Sequence, residues 1–260
     1  MAIYSITKQS ATSKMNILIY GDPGAGKTYL AGTAQDVDSM KNVHFLNIDG
    51  GMMTLAERGD ITAEDIRSSN DLERVLYNIA NGHEDYKDIR TIVIDNITEL
   101  HTLIIEELTT REFAQRSKRD KGYSIDQVYL EDYGEASKKT MRLLRGFRDL
   151  PINVIYTAHR KEKETSTTQV MTESKPNLTD KVAVAIMGYM DYVWYLYSGE
   201  ESEVIDDKTV NRRHRYLLTQ PAQGFAAKTR GITTASNLGT VLRDPTMPMI
   251  MERIGLQLWM

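Results

Sequence analysis

Lys27 and Thr28 close an eight-residue stretch, Gly21-Asp22-Pro23-Gly24-Ala25-Gly26-Lys27-Thr28, that fits G-x-x-x-x-G-K-[ST] at every fixed position. The spacing dictates a chemistry. Glycines let the backbone curl so that successive N–H groups turn inward toward anionic oxygens. A helix starting near Lys27 brings the positive end of its dipole to the same place. The stretch therefore reads as a cradle for the phosphates of a nucleotide such as ATP. Lys27 would reach the β- and γ-phosphates, and the Thr28 hydroxyl would sit on Mg²⁺. The candidate binding set is Gly21, Asp22, Pro23, Gly24, Ala25, Gly26, Lys27, Thr28 and Tyr29, the last following the motif into the helix. A turn that only joined a strand to a helix would need neither Lys27 nor Thr28.

Acids stand where such a site would use them. Thr91-Ile92-Val93-Ile94-Asp95-Asn96 is an apolar run ending in a carboxylate, so Asp95 would emerge beside the loop and hold the Mg²⁺ hydration shell. Hydrolysis also needs a carboxylate to orient or deprotonate water. Asp49 ends a second apolar run and is followed by Gly50 and Gly51, which permit a sharp turn. Glu99 is the other candidate, but a helix-capping role already explains it. Asp49 is preferred, with a turn-forming role as its plainer reading. His159 ends a fourth run, where it would touch the γ-phosphate and report its loss to the next loop, or simply be a hydrogen-bonded surface residue. Lys228 and Arg230 flank Thr229, so in an extended segment both project to one side. They would reach a neighbouring subunit's site as cationic fingers, unless they form a solvated basic turn.

The elements that must position these residues are legible as a pattern. Strands are expected at 17–20, 43–49, 91–96, 153–159 and 191–197, with β segments near 203–206 and 213–219 turning at Asp206-Asp207-Lys208. Helices are expected to about Ala34, after an Asn70-x-x-Glu73 capping box as far as Asn81-Gly82, after Asn96, from Ser124 or Asp132 to Phe147, and from Asp180 to Met187. Apolar strands alternating with helices imply an α/β fold, its mostly parallel sheet covered on both faces. The expected organisation is a polar arm at 1–13, one core at 14–240 and a tail at 241–260, packed on the core or on a neighbour.

Composition narrows the setting. The chain of 260 residues can bury a large core, and its net charge of −4 argues against a uniformly basic nucleic-acid wrapper. With no cysteine it has no disulfide, thiolate nucleophile or zinc-thiolate site. The N-terminus has no apolar signal region, and the most apolar stretch, 182–197, is interrupted by Asp191 and too short for a bilayer. A cytoplasmic protein without a membrane partner is expected.

GDPGAGKT, FLNID-GG, TIVIDN, VIYTAH, the PNLTDKVAVAI–DYVWYL segment and the late KTR together resemble RecA-type ATPases. More narrowly they are similar to compact phage-encoded RecA-like proteins, the ATP-dependent class of phage single-strand annealing and recombination proteins. The resemblance covers roughly residues 14 to 235. It implies a RecA-type P-loop NTPase core with a C-terminal β-hairpin extension, assembling into rings or filaments with ATP between subunits. It implies single-stranded DNA as a partner, a single-strand-binding protein as another, and the host cytoplasm as the location. Two DNA loops would fall near 110–123 and 160–178, where the periodicity fails. The first carries Arg111, Arg116, Lys118, Arg119 and Lys121 against Glu112 and Asp120, with Phe113 and Tyr123 for base stacking. In the second, Arg160, Lys161, Lys163 and Lys175 are offset by Glu162, Glu164 and Glu173, as in an ordinary solvated loop. Where this chain has Asp49 and His159 the family usually has Glu and often Gln, which implies slow hydrolysis and ATP acting mainly as an assembly switch. A hexameric helicase motor and a nucleotide-switched adaptor or loader are the alternatives.

Overall fold

Ile17 and Ile19 sit in one apolar layer and Leu18 and Tyr20 in another, so strand β1 (Asn16–Gly21) is buried on both sides. That is the expected environment of a parallel strand covered by helices on both faces. A computed structural model of the protein describes residues 14–119, 124, 126–161, 174–205, 208–222 and 224–255. The expected arm at 1–13, Asp120, Lys121, Tyr123, Glu162, Lys163, Glu164, Glu173, the Asp206-Asp207 part of the turn and residues 256–260 lie outside the described residues.

The remaining strands are β2 (Val43–Asn47), β3 (Thr62–Asp65), β4 (Thr91–Asp95), β5 (Asn153–His159), β6 (Tyr192–Ile205), β7 (Lys208–Leu218), β8 (Lys228–Thr229) and β9 (Val241–Arg243). They form one sheet in the order β3-β2-β4-β5-β1-β6-β7-β9, with β8 on β6. Pairing is parallel from β3 across to β6 and antiparallel beyond it. The fold is thus α/β with a mostly parallel central sheet and a C-terminal hairpin extension. β5 lies between β1 and β4, so the tips of β1, β4 and β5 stand side by side.

One face is covered by α2 (Ser69–Ala80), α3 (Ile97–Arg119), α4 (Leu130–Asp149) and α5 (Asp180–Tyr189). Leu72, Leu100, Ile104, Leu143, Phe147 and Val182 bury against Leu46, Ile92, Ile94, Val154 and Tyr156 there. The other face is covered by α1 (Lys27–Gly32), α6 (Ile232–Leu238) and α7 (Met247–Ile254). Its layer holds Leu30, Phe45, Val93, Ile155, Trp194, Leu217, Ile250 and Met251. β9 extends the sheet beyond β7, and the Met247 N–H donates to Thr33 Oγ1 at 2.9 Å. Residues 241–255 therefore belong to the same sheet and core. Among the described residues no helix is long and apolar enough to cross a membrane.

Four local features depart from the sequence pattern. β3, Thr-Ala-Glu-Asp, is an edge strand with polar, largely exposed side chains, so neither alternation nor an apolar run announces it. The N-cap of α2 is Ser68 rather than Asn70; its Oγ accepts the Asp71 N–H at 3.1 Å. β6 runs unbroken for 14 residues to Ile205, so residues 203–205 of the segment expected near 203–206 are the end of that strand and not a separate element. Residues 110–119, expected as a DNA loop, continue α3. Their Arg, Glu, Ala, Gln and Lys are strong helix formers, and no glycine or proline interrupts them. Ion pairs to α4, and not an apolar stripe, hold that end: Arg111 to Glu135 at 3.0 Å and Arg116 to Asp132 at 2.5 and 2.7 Å.

Candidate nucleotide-binding site

At the end of β1 the chain must turn against β6. A Cβ at Gly21 would lie 2.0 Å from the Leu196 carbonyl oxygen, so only glycine fits. Gly24 (φ 75°) and Gly26 (φ 95°) then take left-handed conformations, and Gly26 caps α1. The Lys27 ammonium is buried in the resulting curl, donating to Gly21 O at 3.1 Å and Asp22 O at 3.0 Å. Burial lowers its pKa, opposed by Asp95, Asp22 and Asp49. Phosphate oxygens could take over the role of those two carbonyls without moving the helix.

The acids converge on this lysine from neighbouring strands. Thr28 Oγ1 donates to Asp95 Oδ2 at 2.6 Å, and Thr157 Oγ1 on β5 donates to Asp95 Oδ1. Asp95 is almost fully buried, and burial raises its pKa against the two threonine hydrogen bonds. Thr28 and Asp95 form an oxygen donor set suited to Mg²⁺, which prefers one or two protein oxygens with phosphate and water completing its shell. Among the described residues no group of three or more His, Asp or Glu forms an all-protein metal cage.

Asn96 joins the tips of three strands. Its Oδ1 accepts the Glu99 N–H at 2.9 Å and so starts α3. Its Nδ2 donates to Asp49 Oδ2 at 2.7 Å and faces His159 Nε2 at 3.3 Å. Asp49 Oδ1 also accepts the Gly51 N–H at 2.9 Å, which fixes the carboxylate from both sides. An amide donor facing Nε2 assigns the imidazole proton to Nδ1, which is buried and has no hydrogen-bond partner among the described residues. Burial, and then Lys27, lowers the His159 pKa and keeps the ring neutral.

These residues line a single cavity of ≈ 440 Å³ bounded by Pro23, Gly24, Gly26, Lys27, Thr28, Tyr29, Asp49, Gly51, Thr54, Asp95, His159 and Arg215. Asp49 reaches the cavity and Glu99 does not. Gly21, Asp22 and Ala25 shape the loop from behind. Asp22 also accepts from Arg160 Nε at 2.7 Å, tying the loop to the residue after His159.

The late cations are elsewhere in this chain. β8 pairs with the beginning of β6, Thr229 opposite Tyr192, whereas the phosphate loop leaves β1 opposite Leu196. Lys228 and Arg230 thus lie at the opposite end of the strands from the phosphate loop. Lys228 Nζ donates to the carbonyls of Met187, Gly188 and Met190 at 2.9, 3.2 and 2.7 Å, and Arg230 pairs with Asp191 at 2.8 Å.

Sequence reasoning missed Asn96 as a bridge, Thr157, and Arg215. Strand alternation was the available signal for Arg215: it shares a side of β7 with Leu217, which packs in the layer that holds α1. The basic patch expected at 110–119 is also weaker than its charge count, because Arg111 and Arg116 are paired with acids.

A mostly parallel sheet, a lysine-bearing glycine loop after β1 and an acid at the tip of β4, one strand removed from it, define a P-loop NTPase. A family model described as an AAA domain matches residues 13–231, most of the chain, and the protein belongs to that family. Membership carries nucleotide binding, typically with Mg²⁺, and NTP hydrolysis as properties of the family. No curated protein matches the sequence.

Proposed function

We propose that this protein is a RecA-like ATPase that binds single-stranded DNA and assembles into rings or filaments, serving phage DNA annealing or recombination in the host cytoplasm. The observation that carries the ATPase part is the Asn96 bridge between Asp49 and His159, beside Lys27 and Asp95. Lys27 exchanges two loop carbonyls for the β- and γ-phosphates. Thr28 and Asp95 would hold Mg²⁺, which would supply charge neutralisation at the phosphates. Asp49, held by Asn96 and the Gly51 N–H, orients the attacking water and accepts its proton. Neutral His159, held through Nε2 by Asn96, lines the end of the cavity where the γ-phosphate would sit. Loss of the γ-phosphate is passed to Arg160, which follows His159 and holds Asp22 of the phosphate loop, and so to the segment after Arg160 that is proposed to meet DNA.

Among the described residues Lys27 and Arg215 are the cationic side chains lining the cavity, and the proposal adds to them a charge from a neighbouring subunit. Arg230, more than half exposed, is the member of the late pair suited to changing partners, with Lys228 holding its strand in place. DNA and nucleotide favour the same assembled state, so each strengthens the other. A single-strand-binding protein is a further proposed partner.

The adaptor reading is favoured by one observation, the ion-paired state of Arg111 and Arg116. ATP hydrolysis measured with and without single-stranded DNA separates the two. Stimulation that falls with added salt is expected; a rate indifferent to DNA sinks the annealing reading. Mixing Arg230→Ala with Lys27→Ala protein restores part of the activity if the cation acts across subunits, and no recovery at any ratio refutes that arrangement.

A further inference from the structure

The Arg215 guanidinium lies over the Tyr29 ring, 4.2 Å from its centroid. The same side chain closes on the phosphate loop: a Cβ at Gly26 would lie 3.0 Å from Arg215 Cδ. Among the described residues the guanidinium has no ion-pair partner, unlike Arg111, Arg116 and Arg230. Its position is set from the backbone, where the Arg215 N–H donates to Asp244 Oδ1 at 3.0 Å. Tyr29 is 40% exposed, so the pair presents a flat surface at the mouth of the cavity.

The polarity of the cavity says what that surface meets. Lys27, Thr28 and Asp95 mark the β- and γ-phosphate end, with Asp49 and His159 beyond them. Arg215 comes from β7, on one side of β1, and meets Tyr29 there, whereas Asp49 and His159 stand at the ends of β2 and β5 on the other side of β1. The part of a nucleotide that leaves the phosphates in that direction is the nucleoside. Guanidinium planes stack on aromatic rings and on nucleobases.

We infer that Arg215, held flat by Tyr29, is the stacking platform for the base of the bound nucleotide, which rests on the nucleotide-site reading above. Stacking recognises a π-face and not an edge pattern, so the platform favours purines over pyrimidines and discriminates weakly between adenine and guanine. It also makes β7, at the root of the hairpin, a direct party to nucleotide binding.

Titration calorimetry on the full chain with Mg²⁺, comparing ATP with inorganic tripolyphosphate, tests this. Arg215→Ala should weaken ATP roughly 5- to 100-fold and leave tripolyphosphate within about twofold. Tyr29→Ala should weaken ATP as well, whereas Tyr29→Phe, which keeps the ring, should retain it. Arg215→Lys should not restore ATP affinity, because an ammonium has no stacking plane. Equal loss of ATP and tripolyphosphate in Arg215→Ala would make Arg215 a phosphate ligand and overturn the platform, as would ATP affinity unchanged in both Arg215→Ala and Tyr29→Ala. Wild-type protein that binds neither ligand overturns the nucleotide reading and the platform together.

Discussion

Lys27 and Lys228 hold backbone carbonyls in nearly the same way and have opposite meanings. Lys27 donates to two carbonyls of a glycine-rich loop at the exit of β1, and Lys228 donates to three at the end of α5. Burial lowers the pKa of both. The difference lies in what surrounds the ammonium. Lys27 faces a cavity that also presents Asp95, Asp49 and His159, and its carbonyls belong to a loop that phosphates can occupy. Lys228 sits where a helix has run out of internal donors, so its partners have no better claimant. Hydrogen-bond count does not separate a lysine held ready for a ligand from one that completes the fold; the second set of neighbours does.

Replacing each lysine in turn gives the sharpest contrast. Lys27→Ala should reduce ATP affinity on the order of 100-fold by calorimetry, because it removes a buried charge from the phosphates. Its melting temperature should stay close to wild type. Lys228→Ala should do the reverse. It leaves three carbonyls at a helix terminus without their cation and should lower stability by about 1–2 kcal/mol. In a chain of this size that is roughly 3–6 °C in a calorimetric scan. Equal loss of binding in the two variants would erase the distinction.

Asp95 extends the contrast to an acid that the fold holds at a cost. Its pKa is raised in the folded chain, so between the ordinary carboxylate range and that raised value the folded state binds more protons than the unfolded one. Stability therefore falls as pH rises through that window, and the penalty persists above it. Asp95→Asn should raise the melting temperature of ligand-free protein at neutral pH, by roughly 2–4 °C for each kcal/mol relieved. The gain should shrink as pH falls toward 4, while Mg-dependent nucleotide binding is lost. A variant less stable than wild type at pH 7 would show that the threonine hydrogen bonds outweigh burial.

His159 gives the smallest effect. Its folded pKa is depressed, so the unfolded chain takes up the proton first as pH falls below about 6.5. Stability should be fully present above that value and decline below it. His159→Gln should flatten the decline measured between pH 7 and 5, but not abolish it, because burial also lowers the His101 pKa. An unchanged slope would mean that His159 is protonated as readily in the fold as out of it.

The parts of the site that were legible in the sequence are those made by neighbours in the chain. The phosphate loop needs only residues 21–28, and Asp95 and His159 stand at the ends of apolar runs whose burial the structure bears out. What could not be read depends on pairings far along the chain. Arg215 reaches Tyr29 across the sheet, and Asn96 reads locally as a helix cap while its amide spans Asp49 and His159. The end of α3 looked like a loop because its support is electrostatic, and periodicity sees only apolar support. β3 was silent for the same reason, its side chains facing solvent.

Asn96 gives α3 a mechanical character. The helix starts on the amide that also grips Asp49 and His159, and it continues for 23 residues to Arg119. At ~1.5 Å per residue it is a rod about 34 Å long. Each degree of tilt where it is anchored at Asn96 would displace its far end by roughly 0.6 Å, so a tilt of about 5° at the nucleotide cavity would move Lys118 by about the length of a hydrogen bond and strain the Arg116–Asp132 pair.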